Sequence, residues 1–243
     1  MAYFEGKNFI RIRRFLPNIL AMGITAWLVF SPSLNATAQA VSQDFQLWSP
    51  VYLTVSHGKK IQGWYEVQPR FGGNVSQVNQ LLLRTALGYK LTQDWSVWQG
   101  YAWTPAFVPV FTNENRIYQQ LLYIRKFPRV GIVSRNRLEQ RWIENVPGTA
   151  VRLRMLLRGQ IPFDEAQVWS IVVQDEFFVN FNSPPNGPAA GFDQNRLFVG
   201  FNRKVNEHLL VDTGYQIQTI NTREPGFIDN INHILLMQFF VFW

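Results

Sequence analysis

Apolar and polar side chains alternate along most of this chain, from residue 43 to its C-terminus. Between residues 149 and 161, for example, Val151, Leu153 and Met155 alternate with Arg152 and Arg154. Successive side chains of a β-strand point to opposite faces, so this period of two predicts strands that separate an apolar from a polar environment. No sustained helical period of about 3.6 residues competes with it.

The alternation predicts eleven strands, at 43–55, 59–70, 77–91, 94–106, 113–127, 130–143, 149–161, 167–181, 191–204, 207–221 and 230–243. The connections between them alternate in length. Short ones lie at 92–94, 128–129, 162–166 and 205–206, and longer, polar ones at 71–76, 105–113, 144–149, 182–190 and 222–229. Short turns at one end and long loops at the other are typical of outer-membrane β-barrels, whose short turns face the periplasm.

The segment 43–55 leaves the number of strands open. The ten strands from residue 59 onward form an even set, and single-chain bacterial barrels have an even number of strands. Pro50 therefore either splits 43–55 into a short hairpin, which gives twelve strands, or the segment packs elsewhere, which leaves ten. The sequence predicts an all-β, antiparallel transmembrane β-barrel of ten to twelve strands.

Residues 1–40 have the pattern of a cleaved secretory signal peptide. Four basic residues, Lys7, Arg11, Arg13 and Arg14, precede an uncharged apolar run at 19–30 and the string Ala38-Gln39-Ala40. The apolar run is shorter than the roughly 20 residues that a membrane-spanning helix needs. We therefore expect cleavage after Ala40, export through the inner membrane and a mature barrel over residues 41–243.

The last strand is amphipathic and ends in an aromatic residue. Phe239, Val241 and Trp243 share one face with Leu235 and Met237. Such a strand resembles the signal that the barrel-assembly machinery reads, although a buried strand of a secreted β-sandwich would have a similar pattern. Together with the leader and the loop lengths, it favours the cell outer membrane as the location, with outer-membrane lipid and the assembly machinery as partners.

If the apolar face meets lipid, the polar face lines a lumen, and that face is rich in charge. Its principal charged residues are Glu114, Arg116, Arg135, Arg137, Glu139, Arg141, Arg152, Arg154, Arg158, Glu176 and Arg196. Antiparallel neighbours place side chains about 5 Å apart, where arginines repel unless carboxylates, water or an anion lie between them. We expect an Arg/Glu network that braces a narrow lumen. The excess of arginine keeps a site for an anionic solute as the alternative.

Composition excludes several other classes of protein. The chain has no cysteine, so disulfides, iron–sulfur clusters and a thiol nucleophile are excluded. Removing the leader takes four of 23 basic and one of 16 acidic residues and leaves a net charge of +4. That excess is small and forms no basic run, so no nucleic-acid partner is expected. With three histidines, a histidine-based metal cluster is not expected either, and no cofactor is predicted.

The catalytic motifs of hydrolases are missing from the sequence. There is no Gly-x-Ser-x-Gly, no His-Glu-x-x-His and no P-loop. His57 and His208 stand beside predicted short turns, and His233 is placed on the lipid-facing side of the last strand. We therefore do not expect an enzyme.

The charged strands resemble a known family. The residues are Arg135-x-Arg137-Leu138-Glu139-Gln140-Arg141, Arg152-x-Arg154, Glu176, Asp193-Gln194-Asn195-Arg196 before Phe198-Val199-Gly200, Gly100-Tyr101 and Gly214-Tyr215. Together they resemble the DUF2490 family of uncharacterised Gram-negative proteins. The resemblance implies a β-barrel in the outer membrane and brings no established activity and no catalytic residues.

Three classes of function stay open at this point. The first is a structural barrel or a small channel, which the lumen pattern favours. The second is a barrel that binds or transports an anion or a lipid headgroup, and the third is a lipid-modifying enzyme. The sequence predicts no oligomeric state.

Overall fold

In the computed structural model, which describes residues 41–221 and 230–243, the alternating segments form one closed sheet. The predicted leader and the loop 222–229 lie outside the described residues. The strands are β1 (Ser42–Trp48), β2 (Val51–His57), β3 (Ile61–Gly72), β4 (Gln77–Lys90), β5 (Trp95–Trp103), β6 (Glu114–Lys126), β7 (Gly131–Ile143), β8 (Ala150–Pro162), β9 (Trp169–Asn180), β10 (Gly191–Lys204), β11 (Leu209–Ile220) and β12 (Asn230–Phe242). The prediction of an all-β barrel is confirmed.

The barrel closes through a parallel pair of strands. From β2 to β12 each strand pairs antiparallel with the next one. Both β1 and β2 pair parallel with β12, and in one continuous register: Trp48 is opposite Leu236 and Val51 is opposite Phe239. The two segments therefore occupy a single position in the wall, which has eleven positions.

Neither alternative for the segment 43–55 describes the structure. Pro50 interrupts the segment but does not fold it into a hairpin, and the segment does not pack away from the wall. Proline has no N–H to donate to a ladder, so the strand breaks there, while the Pro50 carbonyl still accepts from the Phe239 N–H. The even count assumed from other bacterial barrels was wrong. An odd number of passes leaves the first and last strands running in the same direction, so they must close in parallel.

The lengths of the connections distinguish the two ends of the barrel. We call the end with the connections 58–60, 91–94, 127–130, 163–168 and 205–208 the short-turn end, and the end with 73–76, 104–113, 144–149 and 181–190 the long-loop end. Asp164 closes one short turn by accepting from the backbone N–H groups of Val168 and Trp169, and this lowers the pKa of its carboxyl.

The two ends of the described chain lie at opposite ends of the barrel. At the long-loop end, Asp44 of β1 accepts from the N–H groups of Gly73 and Asn74, at 3.1 and 2.9 Å. At the short-turn end, the Trp243 N–H donates to the Thr54 carbonyl at 2.8 Å.

Polarity is reversed relative to a water-soluble protein. Among the residues that the structure describes, 25 polar or charged side chains are buried, against 13 apolar ones other than proline. The outward face is apolar and exposed, as at Leu87, Leu157 and Phe201. No helix in the described part of the chain is both long and apolar enough to cross a bilayer.

Candidate functional site

Glu139 of β7 is the centre of the charged network inside the barrel. The register places it opposite Arg152 of β8, and its side chain is only 1% exposed. One carboxylate oxygen accepts from Nε and Nη2 of Arg152 at 3.1 and 2.7 Å. The other accepts from Nη1 of Arg154 at 2.8 Å. Three charge-assisted hydrogen bonds therefore hold a carboxylate that has almost no contact with water.

Glu176 of β9 is a second centre, and Arg154 joins the two. Oε1 of Glu176 accepts from Nη2 and Nε of Arg154, at 2.8 and 3.2 Å. The same oxygen accepts from Nη2 of Arg135 at 2.8 Å, and Oε2 lies 3.7 Å from Nη1 of Arg196. The guanidinium of Arg154 thus uses all three of its nitrogens on carboxylates from β7 and β9. The planar guanidinium, with several donors in fixed directions, suits this bridging position, whereas lysine would present one ammonium nitrogen.

A third carboxylate lies towards the long loops. Glu114 accepts from Nε and Nη2 of Arg116 at 2.7 and 2.8 Å, and from Nε of Arg141 at 2.6 Å. The wall on the other side has a smaller pair, in which Nη1 of Arg84 lies 2.9 and 3.0 Å from the two oxygens of Glu66. With these pairs, the structure places every predicted charged residue of the lumen face among buried or half-buried partners.

Besides Glu66, two carboxylates that pair with predicted arginines are not among the predicted site residues. Asp193 accepts from Nη1 of Arg152 at 2.9 Å, and Asp212 of β11 pairs with Arg158. Asp212 is fully buried. Its inward position follows from the alternation of β11, but its partner lies three strands away. No local pattern in the sequence predicts that pairing.

Aromatic rings lie against the arginines that have no hydrogen-bonded carboxylate. Arg137 lies over the ring of Tyr118, 4.1 Å from its centroid, and Arg70 lies 3.7 Å from the ring of Trp48. Arg196 lies between Trp48 and Phe178, at 5.0 and 4.6 Å. The faces of these rings attract the cations and lessen the repulsion between neighbouring arginines.

The position of Tyr118 depends on a glycine of the neighbouring strand. Gly100 is paired with Tyr118 across β5 and β6, and a Cβ at Gly100 would lie 2.2 Å from Cζ of the tyrosine ring. The ring therefore lies flat on the wall, beside Arg137, where any larger residue at position 100 would displace it.

A cavity of about 590 Å³ occupies the lumen between the network and the short-turn end. Its deepest lining residues include Arg70, Arg84, Arg137, Arg154 and Arg196. Glu114, Glu139, Arg141 and Arg152 are not among its lining residues; they fill the lumen on the long-loop side. The described residues that line the cavity include seven arginines and one lysine, against the carboxylates of Asp94 and Glu176. Because Arg84, Arg154 and Arg158 also pair with carboxylates outside the lining, the least compensated positive charge lies at Arg70, Arg137 and Arg196.

Two of the deep arginines bind neutral amides in place of carboxylates. Arg137 donates from Nε and Nη2 to Gln120 at 3.0 and 2.7 Å, and its Nη1 is 3.8 Å from Oε1 of Glu139. Arg70 donates to Gln80 at 2.9 Å and to Gln68 at 3.2 Å. Within the described part of the chain, Nη1 of Arg137 and Nε of both Arg70 and Arg196 are buried and have no hydrogen-bond partner.

The predicted assembly residues lie on the outward face of β12. Phe239 is paired with Val211 and Val51, and Val241 with Leu209 and Leu53, so both continue an apolar outer surface. Trp243 is 79% exposed. Phe240 and Phe242, on the other face, line the cavity.

The described residues contain no group of three or more acidic or histidine side chains that could hold a metal ion. His233 lies on the outer face, where its ring nitrogens contact the Tyr215 hydroxyl at 2.5 Å and Oε1 of Gln43 at 3.3 Å. His208 contacts the Phe242 carbonyl at 3.0 Å beside a short turn.

Comparison with known proteins gives a family and one relative. Residues 45–229 match the family model described as "Protein of unknown function (DUF2490)". An uncharacterized protein of Methylorubrum extorquens is 35% identical over 213 residues, which cover 85% of this chain and 91% of the relative. No solved structure matches the chain.

Proposed function

We propose that this chain, which belongs to the DUF2490 family of proteins of unknown function, is an outer-membrane β-barrel whose charged lumen braces the wall and blocks it as a channel. The reversed polarity carries this proposal: the outward face is apolar and exposed, while the inward face is charged and buried. Monomeric soluble proteins rarely expose continuous apolar patches beyond a few hundred Å². In a bilayer the same face would contact acyl chains.

Aromatic residues at both ends of the outer face support a membrane position. Trp95 and Trp169 begin their strands at the short-turn end, and Trp103 and Trp142 lie at or near strand ends at the long-loop end; all four are exposed. Tryptophan favours the two interfaces of a membrane, where its ring meets both lipid and water. In this proposal the leader exports the chain, the assembly machinery reads β12, and the short turns face the periplasm.

The charged network argues for a structural lumen over an open pore. Glu139, Arg137 and Arg154 lie at mid-depth in the lumen and are nearly completely buried. A conducting barrel needs a continuous water-filled path, and here hydrogen-bonded side chains from β6 to β10 occupy its middle. Because the carboxylates and arginines are mutually paired, the network holds these strands together across the lumen as well as along their ladders.

A catalytic role is not part of the proposal. His233 is hydrogen bonded to a tyrosine and a glutamine on the outer face, and His208 lies beside a turn. Neither arrangement resembles the histidine of a hydrolase, which needs a nucleophile on one ring nitrogen and an orienting group on the other.

Cell fractionation and planar-bilayer recording together test the proposal. We expect the full-length protein to be found in the outer-membrane fraction, and the purified, folded barrel to give no stable open-channel current where a water-filled porin does. Recovery of the folded protein as soluble periplasmic material would contradict the membrane location. Long-lived unitary currents from the folded barrel would contradict the closed lumen and favour the small-channel alternative.

A further inference from the structure

The lumen cavity has arginines at its floor and apolar side chains among the residues of its mouth. Its floor contains the guanidinium groups of Arg70, Arg137 and Arg196. Its mouth, at the short-turn end, combines polar residues such as Ser56, Thr92 and Gln93 with apolar side chains near the ends of their strands: Ile124, Val133, Leu210, Phe240 and Phe242. Lys90 and Asp94 stand at the rim, and Arg158 near the mouth is paired with Asp212.

The arginines of the floor are not fully hydrogen bonded. Among the described residues, Nη1 of Arg137 and the Nε atoms of Arg70 and Arg196 are buried without a hydrogen-bond partner. Buried donors in native proteins are nearly always satisfied, so an orphaned one requires an explanation. Arg70 and Arg137 donate otherwise only to glutamine amides, and so their charge is not matched by a hydrogen-bonded carboxylate.

Aromatic residues hold these guanidinium groups in position. Arg137 is fixed against Tyr118 and by Gln120, and Arg70 is fixed against Trp48. Their positions are therefore set before any ligand binds, and this lowers the entropic cost of binding. A site with fixed cationic donors at its floor and apolar side chains among those at its opening suits a molecule that has both an anionic group and an apolar part.

We propose that this cavity binds a single-chain anionic amphiphile, with its carboxylate or phosphate at Arg70, Arg137 and Arg196 and its alkyl chain towards the short-turn mouth. The volume of about 590 Å³ lies within the range of 300–1,000 Å³ that is usual for small-molecule sites. A small inorganic anion would use the floor and leave the apolar mouth without a contact. A neutral alcohol would use the mouth and leave the arginines unpaired. This inference does not depend on whether the barrel conducts.

Quenching of tryptophan fluorescence by brominated alkyl chains measures such binding after subtraction of the quenching that probe dissolved in the detergent causes at outer-face residues such as Trp103 and Trp142, which an excess of unlabelled palmitate does not remove. Trp64 and Trp98 line the cavity, so a bromine on a bound chain would quench them. The full-length barrel in a neutral maltoside detergent is titrated with brominated palmitate and brominated lysophosphatidic acid. Unlabelled hexadecanol and inorganic phosphate are the competitors. We expect both anionic amphiphiles to bind, and both competitors to displace them only at concentrations about tenfold higher or more, because each lacks one half of the recognised structure.

The two anionic probes also distinguish the source of the ligand. Tighter binding of palmitate would assign the site to a free fatty acid, and tighter binding of lysophosphatidic acid to a phosphate headgroup. Displacement of the brominated amphiphiles by inorganic phosphate at concentrations similar to their own would overturn the proposal in favour of a simple anion site. Failure of either amphiphile to quench would also overturn it.

Arg137→Gln and Arg70→Gln test the floor. Neither change leaves a carboxylate without its hydrogen bonds, because both arginines donate to amides, so the variants should fold and keep the heat-modifiable mobility of the wild type. We expect about tenfold weaker binding or more from each, the factor for losing a charge-assisted hydrogen bond. Arg203→Gln is the matched control, since Arg203 is exposed near the end of β10 beside Trp169 and does not line the cavity.

Ile124→Glu tests the mouth independently. It places a carboxylate where the alkyl chain would lie, and we expect it to weaken binding of both amphiphiles without weakening competition by inorganic phosphate. If folded Arg137→Gln and Arg70→Gln barrels bind the amphiphiles as tightly as the wild type, the amphiphiles bind elsewhere, as on the outer face. That result would refute the proposal.

Discussion

Arg154 and Glu139 form a hydrogen-bonded ion pair inside the barrel, with Nη1 of the arginine 2.8 Å from Oε1 of the glutamate and both side chains almost completely buried. The same guanidinium holds Glu176 through its other two nitrogens. Breaking one partner of such a pair leaves the remaining charge buried and uncompensated. This relationship makes Glu139 the most informative residue for the role of the lumen.

We expect Glu139→Gln to lower the free energy of unfolding by about 1–3 kcal/mol, because Arg152 and Arg154 lose a charged partner while the amide keeps one acceptor oxygen. Temperature-dependent loss of the folded form on gels measures the effect. Glu165→Gln, in an exposed short turn, is the control and should change stability by no more than about 0.5 kcal/mol. Unchanged melting of Glu139→Gln together with a raised anion current would favour the anion-site alternative.

The outward and inward faces of β8 should respond oppositely to a new charge. Leu157 is exposed on the outward face, and Gln160 points inward to Ser170 and Asn202. In a membrane Leu157→Arg should cost about 2–4 kcal/mol near the midplane, whereas Gln160→Arg should be tolerated in the polar lumen. Refolding equilibria of the two variants in lipid vesicles compare the costs. A larger cost for Gln160→Arg would mean that no lipid meets the outward face.

Polar residues at Phe239, Val241 and Trp243 should block assembly into the membrane. The change removes apolar outward surface from β12 and the aromatic end that resembles an assembly signal. We expect degraded or periplasmic protein and loss of the heat-modifiable form. Val110→Ser with Phe111→Ser, in the exposed loop 104–113, is the control and should assemble normally. Normal amounts of folded protein from the triple variant would argue against a membrane barrel.

The leader should be removed after Ala40. The expectation rests on the Ala38-Gln39-Ala40 string that follows the apolar run. Intact-mass measurement of the membrane-purified protein should place the N-terminus at Val41 or within a few residues of it. A protein that keeps its first forty residues would exclude the predicted export by a cleaved signal peptide.

Because the barrel closes in parallel, the two ends of the described chain should lie on opposite sides of the outer membrane. Ser42 is paired with Asn230 at the long-loop end, while Trp243 lies at the short-turn end. An epitope inserted between Val41 and Ser42 should therefore be labelled on intact cells, as should one in the loop 181–190. An epitope in the short turn 127–130 should be labelled only after the outer membrane is opened. Labelling of the 41–42 epitope only in opened cells would contradict this orientation.

The sequence by itself determined which side chains share a face. A period of two is a local property of extended backbone, so the alternation predicted nearly all strand positions and placed Arg137, Glu139 and Arg152 on one face. For the same reason it indicated an inward Asp212, although nothing nearby in the sequence showed its importance. The pattern of charged and apolar residues was sufficient to predict the barrel and its charged lumen.

Only the tertiary structure decided how the barrel closes and which charges meet. Closure depends on the register of all eleven wall positions together, and so the parallel pairing of β1 and β2 with β12 has no local cause apart from the break at Pro50. Contacts across the lumen, such as Arg158 with Asp212, join strands that are not neighbours. Whether an arginine finds a carboxylate or, like Arg137, a glutamine and an aromatic ring depends on those distant strands, because the curvature of the closed wall brings them together.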